Sequence, residues 1–236
     1  GMYTDTTRPN HLAQEVIDNA VDEALAGHAN KITVKVYKDG SLSVEDNGRG
    51  MPVDIHPEYG QSGIEIILTK LHAGGKFSTD NYQFSGGLHG VGISVVNALS
   101  DRVEVEVQRQ GNLYKMVFEH GEPVAPLEVL EGKAPKRATG TTVRFWPEEK
   151  YFDSPKFALK ALKHNLKAKA VLAAGLKITF IDEINSETIE WQFENGLVDY
   201  LMDELEDREI VPDPAYVATG EGERASAEFA ICWNAE

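Results

Sequence analysis

The sequence predicts an α+β domain built on a mixed, mostly antiparallel sheet. Most strand-like segments are joined by short turns and so form hairpins, and the helical segments come in blocks instead of alternating with single strands. The chain has 236 residues, 42% of them apolar, which suffices for one large domain or two small ones with a sizeable core.

Composition excludes several classes of function. The net charge of −15 repels nucleic acid, so this segment is not expected to be the main DNA-gripping part of any assembly. Cys232 is the only cysteine, which excludes an internal disulfide and a cysteine-based zinc site. Apolar runs stay well short of the roughly 20 residues that cross a bilayer, and no signal peptide is visible, so we expect a cytoplasmic protein.

The first helix is predicted to begin near Pro9 and to stop at Gly27, since proline suits a first helical turn and glycine a helix end. Its apolar positions recur at helical spacing and predict a buried stripe. That stripe consists of Leu12, Val16, Ala20 and Ala24, extended by Ile17, Val21 and Leu25.

A second stripe of the same helix carries Glu15, Asn19 and Asp22, with Asp18 and Glu23 beside it. One interpretation is a solvated acidic face. Asn19 argues against it, because asparagine is a poor residue in the middle of a helix. The other interpretation is a Mg²⁺ site, in which the amide oxygen is a hard ligand and the carboxylate polarises a water molecule.

Two strands should follow, over 32–36 and 42–46, because apolar and polar residues alternate there. Side chains two positions apart in a strand point to the same face, so Asp46 should point inward like Val44. An inward carboxylate needs a partner. Asp46-Asn47-Gly48 is consistent with a capped turn. Alternatively, Asp46 accepts a hydrogen bond from the exocyclic amine of a ligand, and the segment 48–52 shapes the pocket rim.

The segment 62–99 carries a helix start and two glycine-rich stretches. Ser62 and Glu65 form a capping box, which predicts a helix through Leu71 or His72. The stretch 73–81 is long and polar enough to act as a lid, and its Lys76 is either a phosphate ligand or a solvated lysine. The loop 85–92 has four glycines and runs into a helix, which is typical of a phosphate site; a flexible turn is the alternative.

The second half is interpreted as scaffold. Strands are predicted at 103–107, 113–118, 141–146, 177–181, 188–193 and 225–233, helices at 154–173 and 196–206, and irregular chain at 119–140. The helix at 154–173 carries five lysines that we interpret as a solvated face: Lys156, Lys160, Lys163, Lys167 and Lys169.

Three stretches must be considered together in chain order. They are Glu15-Val16-Ile17-Asp18-Asn19-Ala20-Val21-Asp22-Glu23, Asp46-Asn47-Gly48-Arg49-Gly50 and Gly86-Gly87-Leu88-His89-Gly90-Val91-Gly92. This ordered triple resembles the Bergerat ATP-binding fold of the GHKL group, which holds type II topoisomerases, heat-shock chaperones, mismatch-repair ATPases and histidine kinases. The runs 71–77 and 83–100 resemble bacterial type IIA topoisomerase ATPase subunits in particular. The resemblance implies one ATPase domain spanning residues 1–236, with helices packed on one face of the sheet.

The resemblance also implies a role for each candidate residue. Glu15 would be the general base, Asn19 would bind Mg²⁺, and Asp46, supported by Thr141, would receive the adenine amine of ATP. Further residues would line the adenine pocket and its rim: Arg49, Gly50, Pro52 and Arg109. The phosphates would be held by Lys76, Gly87, Leu88, His89, Gly90, Val91, Gly92 and Ile93, with Tyr82 assisting.

The same resemblance implies partners and a cellular role. At the nucleoid, the chain would work with a DNA-cleaving topoisomerase partner, drive a dimer gate for DNA strand passage, and bind ATP-competitive inhibitors of the aminocoumarin type. The segment 3–12 looks more like the topoisomerase IV branch than the gyrase branch; a mismatch-repair or chaperone-type clamp is the remote alternative. The N-terminal arm and transducer domain of the family are not in this sequence, so we expect a monomer that binds ATP but hydrolyses it poorly.

Overall fold

The computed structural model describes residues 6–70, 92–205, 210–221 and 226–234. The helices are α1 (Asn10–Leu25), α2 (Gly63–Thr69), α3 (Ile93–Ala98), α4 (Leu159–Leu172) and α5 (Leu197–Glu204). The strands are β1 (Lys31–Val36), β2 (Leu42–Asp46), β3 (Ser100–Arg109), β4 (Asn112–Glu119), β5 (Glu122–Pro123), β6 (Glu128–Leu130), β7 (Gly140–Pro147), β8 (Lys177–Asp182), β9 (Glu187–Trp191), β10 (Ile210–Glu221) and β11 (Ser226–Asn234).

Nine of these strands form one sheet in the order β5-β4-β3-β7-β2-β1-β8-β9, with β6 also paired to β4. Its pairings are antiparallel except for β1 with β8, which run parallel. The predicted α+β class with a mixed, mostly antiparallel sheet is confirmed. The strands β10 and β11 form a separate two-stranded sheet.

The register places one apolar row across the middle of the sheet. Val34 lies opposite both Val44 and Phe180, and Val44 in turn lies opposite Val143. These side chains are buried in one core cluster with apolar residues of α1, α2, α3 and α4. The helices therefore cover one face of the sheet, and this face is where the inward end of β2 points.

The other face of the sheet carries polar and aromatic side chains that no local pattern groups together. The Arg144 guanidinium lies 3.6 Å from the ring centroid of Tyr37 and 4.5 Å from that of Trp146. Arg144 and the Trp146 indole both donate to Asp39, at 3.0 and 3.1 Å. Cation–π stacking and charged hydrogen bonds thus hold this face together without burying it.

Element bounds follow the predictions closely in the first half of the chain. Pro9 is the residue before α1, and Gly27 follows its end with φ +81°, which glycine adopts without strain. The hydroxyl of Ser62 accepts a hydrogen bond from the Glu65 N–H at 3.3 Å, as the capping box requires. The helix this box begins, α2, ends at Thr69 because Lys70 is extended.

Three predictions for the second half were wrong. The helix α4 begins at Leu159, not at 154, because the Asn10 side chain binds the backbone N–H and C=O of Ala158 and holds that residue outside the helix. Two short strands, β5 and β6, lie within the segment 119–140 that was expected to be irregular. The strand β10 was not predicted. Among the described residues, the helices lack the length and apolarity needed to span a bilayer.

Candidate functional site

Asp46 is the last residue of β2 and lies opposite Ile32 on β1 and Thr141 on β7. Its carboxylate Oδ1 accepts a hydrogen bond from the Gly48 N–H at 2.8 Å, so the capped-turn interpretation is confirmed. The side chain is half-buried and lies on the helix-covered face, as its parity with Val44 predicts. A cap and a ligand site are therefore compatible at this residue.

The carboxyl of Asp46 is poorly solvated. Burial raises its pKa to about 7, and the nearby Glu23 charge raises it further, while the N–H of Gly48 acts in the opposite direction. Desolvation disfavours a charge that has no cationic partner. A donor that reached this carboxylate would therefore stabilise its ionised form.

A narrow cavity joins Asp46 to α1. Its walls come from α1, β2, β7, the loop after β2 and the start of α3: Val16, Asn19, Ala20, Glu23, Val44, Asp46, Met51, Ile93, Thr141 and Val143. The structure thus brings together four of the predicted site residues, Asn19, Asp46, Thr141 and Ile93. Apolar walls with a few convergent polar groups are typical of a small-molecule site.

Asn19 has an unsatisfied polar atom. Among the described residues, its buried Nδ2 has no hydrogen-bond partner. The two ends of an amide are exchangeable by a flip of the side chain, so the oxygen can occupy the same place. A hard cation is a suitable ligand for that oxygen, and the residues present therefore fit Mg²⁺.

Glu15 lies one helical turn before Asn19 and is 2% exposed. Its Oε1 is 3.5 Å from His11 Nε2. It does not contribute to the cavity wall around Asp46. Its assignment as a general base stays a prediction.

The loop after Asp46 is held by Glu23, a carboxylate that was predicted to lie beside the polar stripe of α1. Glu23 Oε2 accepts hydrogen bonds from the Arg49 backbone N–H and Nε at 3.0 and 3.2 Å, and Oε1 accepts one from Nη2 at 2.6 Å. Glu23 is buried, so a solvated face is wrong for this residue. Its spacing from Asn19, four positions along the helix, was the available signal.

Glycine is required next to this ion pair. A Cβ on Gly48 would lie 2.7 Å from Glu23 Oε2 and 2.9 Å from Asp46 Oδ1. Gly50 has φ +83°, and a Cβ there would lie 2.9 Å from Arg109 Cγ. The two carboxylates and the arginine side chain can pack against this backbone only because it carries no side chains.

Further hydrogen bonds fix the rim. Met51 N–H donates to Thr141 Oγ1 at 3.0 Å, and Arg109 Nη1 donates to the Met51 carbonyl at 3.3 Å. The predicted rim residues Arg49, Gly50 and Pro52 lie in this loop but do not line the cavity. Arg109 lies against the loop, as a rim residue should.

The predicted phosphate loop lies only partly within the described residues. Gly92, with φ +65°, precedes α3, and Ile93 begins it, fully buried in the cavity wall. The other predicted phosphate ligands lie outside the described residues: Lys76, Tyr82, Gly87, Leu88, His89, Gly90 and Val91.

Residues 4–151 match the family described as "Histidine kinase-, DNA gyrase B-, and HSP90-like ATPase". The match covers more than half of the chain, and the chain belongs to this family. The sheet, its helix-covered face and the cavity at the end of β2 are accordingly those of a GHKL ATPase domain. Membership of an ATPase family implies that the domain binds ATP.

Particular relatives narrow the resemblance. The chain is 60% identical over 233 residues to the B-type subunit of DNA topoisomerase 4 from Pseudomonas aeruginosa, covering 99% of this chain. It matches the topoisomerase IV ATP-binding domain of Francisella tularensis, solved with a small-molecule inhibitor, with a TM-score of 0.79 and 50% identity over 94% of this chain. It also matches the 43K ATPase domain of Thermus thermophilus gyrase B, solved with an aminocoumarin, with a TM-score of 0.82 and 37% identity over 96% of this chain.

The chain is shorter than these relatives. It spans 37% of the Pseudomonas protein and 58% of each of the two solved chains.

Proposed function

We propose that this chain is the ATP-binding and ATP-hydrolysing domain of a type IIA DNA topoisomerase of the topoisomerase IV type. ATP would close a dimer gate and drive DNA strand passage, with decatenation and relaxation as the outcome. Support comes from the identity of 60% to a topoisomerase IV relative, against 37% to the solved gyrase domain.

The observation that carries the proposal is the cavity shared by Asn19, Asp46 and Thr141. Three elements far apart in sequence supply an amide, a carboxylate and a hydroxyl to the same space. In the proposed complex, Asp46 accepts a hydrogen bond from the adenine amine. Thr141 holds the Met51 backbone and so fixes the wall beside the base.

The other end of the nucleotide would lie toward α1 and the start of α3. Asn19 would hold Mg²⁺ through its amide oxygen, and Glu15 would take the proton of the attacking water. Mg²⁺ would neutralise and bridge the phosphate oxygens. Lys76 and the backbone N–H groups of 87–93 would bind the phosphates, as expected for a glycine-rich loop before a helix.

The partners would be the DNA-cleaving, A-type subunit of topoisomerase IV and, through the assembled enzyme, DNA in the cytoplasmic nucleoid. The net charge of −15 is consistent with DNA being gripped elsewhere. Inhibitors that compete with ATP, aminocoumarins among them, would occupy the same cavity. Support comes from the two solved relatives, one in complex with a small-molecule inhibitor and the other with an aminocoumarin.

A gyrase-type protein is the second candidate. Its support is the backbone similarity, since the TM-score to the gyrase domain, 0.82, is not below the 0.79 to the topoisomerase IV domain. The two candidates differ in the reaction of the assembled enzyme. Decatenation without introduction of negative supercoils supports the first, and supercoiling supports the second.

Calorimetry with a non-hydrolysable ATP analogue tests the nucleotide site directly. We expect Asp46→Asn to abolish binding, because the new amide presents a donor to the adenine amine, and Glu15→Ala to retain it. Asp54→Asn is the matched control, since Asp54 is exposed on a loop outside the cavity. Equal affinity of the wild type and Asp46→Asn would contradict the adenine assignment.

A further inference from the structure

Three possible metal ligands from separate strands meet at one edge of the large sheet, away from the nucleotide cavity. They are Asp101 near the start of β3, His120 just after β4 and Glu148 just after β7. Their nearest ligand atoms all lie within 4.8 Å of one another. His120 Nδ1 is 3.8 Å from Asp101 Oδ1 and 3.9 Å from Glu148 Oε2.

Backbone hydrogen bonds position the three residues independently of their side chains. The His120 N–H donates to the Asp101 carbonyl at 3.0 Å, and the Glu148 N–H donates to the Leu99 carbonyl at 3.0 Å. The Asn97 side chain, buried at the end of α3, donates to the carbonyl of Gly121 at 3.0 Å. The ligands therefore stand on a fixed scaffold, so that little order is lost when they close on an ion.

The carboxylate of Glu148 is oriented by a second contact. Its Oε1 pairs with Lys150 Nζ, which leaves Oε2 directed toward His120. The Glu148 side chain is 14% exposed, whereas that of His120 is 69% exposed. One ligand is thus anchored, and another gives an ion direct access from solvent.

From this convergence we propose that Asp101, His120 and Glu148 bind a divalent transition-metal ion of the zinc type. One imidazole nitrogen and two carboxylate oxygens are ligands that Zn²⁺ accepts, with water in the fourth position. Tetrahedral bonds of about 2.0–2.2 Å put ligand atoms roughly 3.4 Å apart, so closing of about half an ångström suffices. The imidazole favours Zn²⁺ over Mg²⁺, which prefers oxygen ligands.

A bound ion would link β3, the turn after β4 and the end of β7. Since Asn97 ties this turn to α3, the ion would also stabilise the end of the helix whose first residue, Ile93, lines the cavity. The site involves no residue of the proposed nucleotide site, so it stands or falls separately from the proposed function.

Titration calorimetry with Zn²⁺ alone, without nucleotide, tests the site. The key variant is His120→Asn, because His120 has φ +49° and asparagine tolerates that conformation while removing the imidazole. We expect zinc to bind the wild-type chain and to bind His120→Asn at least roughly tenfold more weakly. The matched control is His164→Asn on α4, an exposed histidine outside the cluster, which should bind as the wild type does.

Glu148→Gln provides a second variant, and thermal unfolding provides a second readout. Zinc should raise the melting temperature of the wild type and of His164→Asn, with little effect on His120→Asn or Glu148→Gln. Excess Mg²⁺ should not reproduce the shift. The proposal is overturned if millimolar zinc gives no binding to the wild type, or if both cluster variants bind zinc with wild-type affinity.

Discussion

The helices α1 and α4 lie against the same face of the sheet but treat their charges in opposite ways. In α1, nine of sixteen residues are buried, and three of these are carboxylates: Glu15, Asp18 and Glu23. In α4, three of fourteen residues are buried, and all are apolar. A charge inside the protein must be compensated, so the buried carboxylates of α1 dictate what their neighbours do. The lysines of α4 carry no such constraint.

The two helices meet at the exception. Lys169 of α4 pairs with the buried Asp18 at 2.7 Å, and the two side chains are only 15% and 11% exposed. The pair of Lys163 with Glu187 is equally short, 2.7 Å, but its side chains are 30% and 40% exposed. The interpretation of the lysine stripe as a solvated face is therefore wrong for Lys169. Matched distances with different burial make the comparison open to experiment.

The largest effect is expected for Arg49→Met. This substitution leaves the buried Glu23 without its guanidinium, which should cost about 4 kcal/mol of unfolding free energy. Urea unfolding near neutral pH measures it. The double variant Glu23→Gln with Arg49→Met should recover much of the loss, since no charge is left buried. A loss below about 1 kcal/mol for the single variant would show that Glu23 is solvated after all.

The next effect concerns Asp46 and pH. Its pKa of about 7 in the folded protein lies above the ordinary value near 3.9, so folding favours the protonated form. The stabilisation is present at acidic pH and is lost as the pH rises through 7. In Asp46→Asn the side chain stays neutral. The stability of the wild type relative to this variant should therefore fall by roughly 2.5 kcal/mol between about pH 5 and pH 8.

Paired urea titrations of the two proteins across that range measure the difference and cancel the other titrating groups. A difference that stays constant with pH would show that Asp46 has an ordinary pKa.

The smallest effects sharpen the contrast between the helices. Lys169→Met should lower stability by about 2 kcal/mol, because it leaves Asp18 buried with an uncompensated charge. Lys163→Met should lower it by less than about 1 kcal/mol, because exposed pairs contribute little. Urea unfolding of both variants at low and high salt measures the two values. Equal losses would mean that burial does not distinguish the two ion pairs.

Local patterns predicted the parts of the site that depend on neighbouring residues in the chain. Alternation was enough to place Asp46 on the inward face, and helical spacing placed Asn19 and Glu15 on one stripe of α1. The resemblance to the GHKL group supplied the pairing with Thr141, which the register of β2 and β7 brings opposite Asp46.

Contacts between distant segments could not be predicted from the sequence. The partner of Glu23 is Arg49, 26 residues away, and the parallel partner of β1 is β8, which follows far along the chain. The start of α4 depends on Asn10, a residue of α1. Each of these depends on which segments the folded sheet brings together, and periodicity within one segment contains no such information.

The elevated pKa of Asp46 makes ligand capture a proton-release event. At neutral pH about half of the free molecules carry a proton on this carboxyl, and a donor amine arriving there would expel it. Some of the heat measured on nucleotide addition would then belong to the buffer that takes up the proton. Phosphate and Tris solutions would report different enthalpies for one and the same complex.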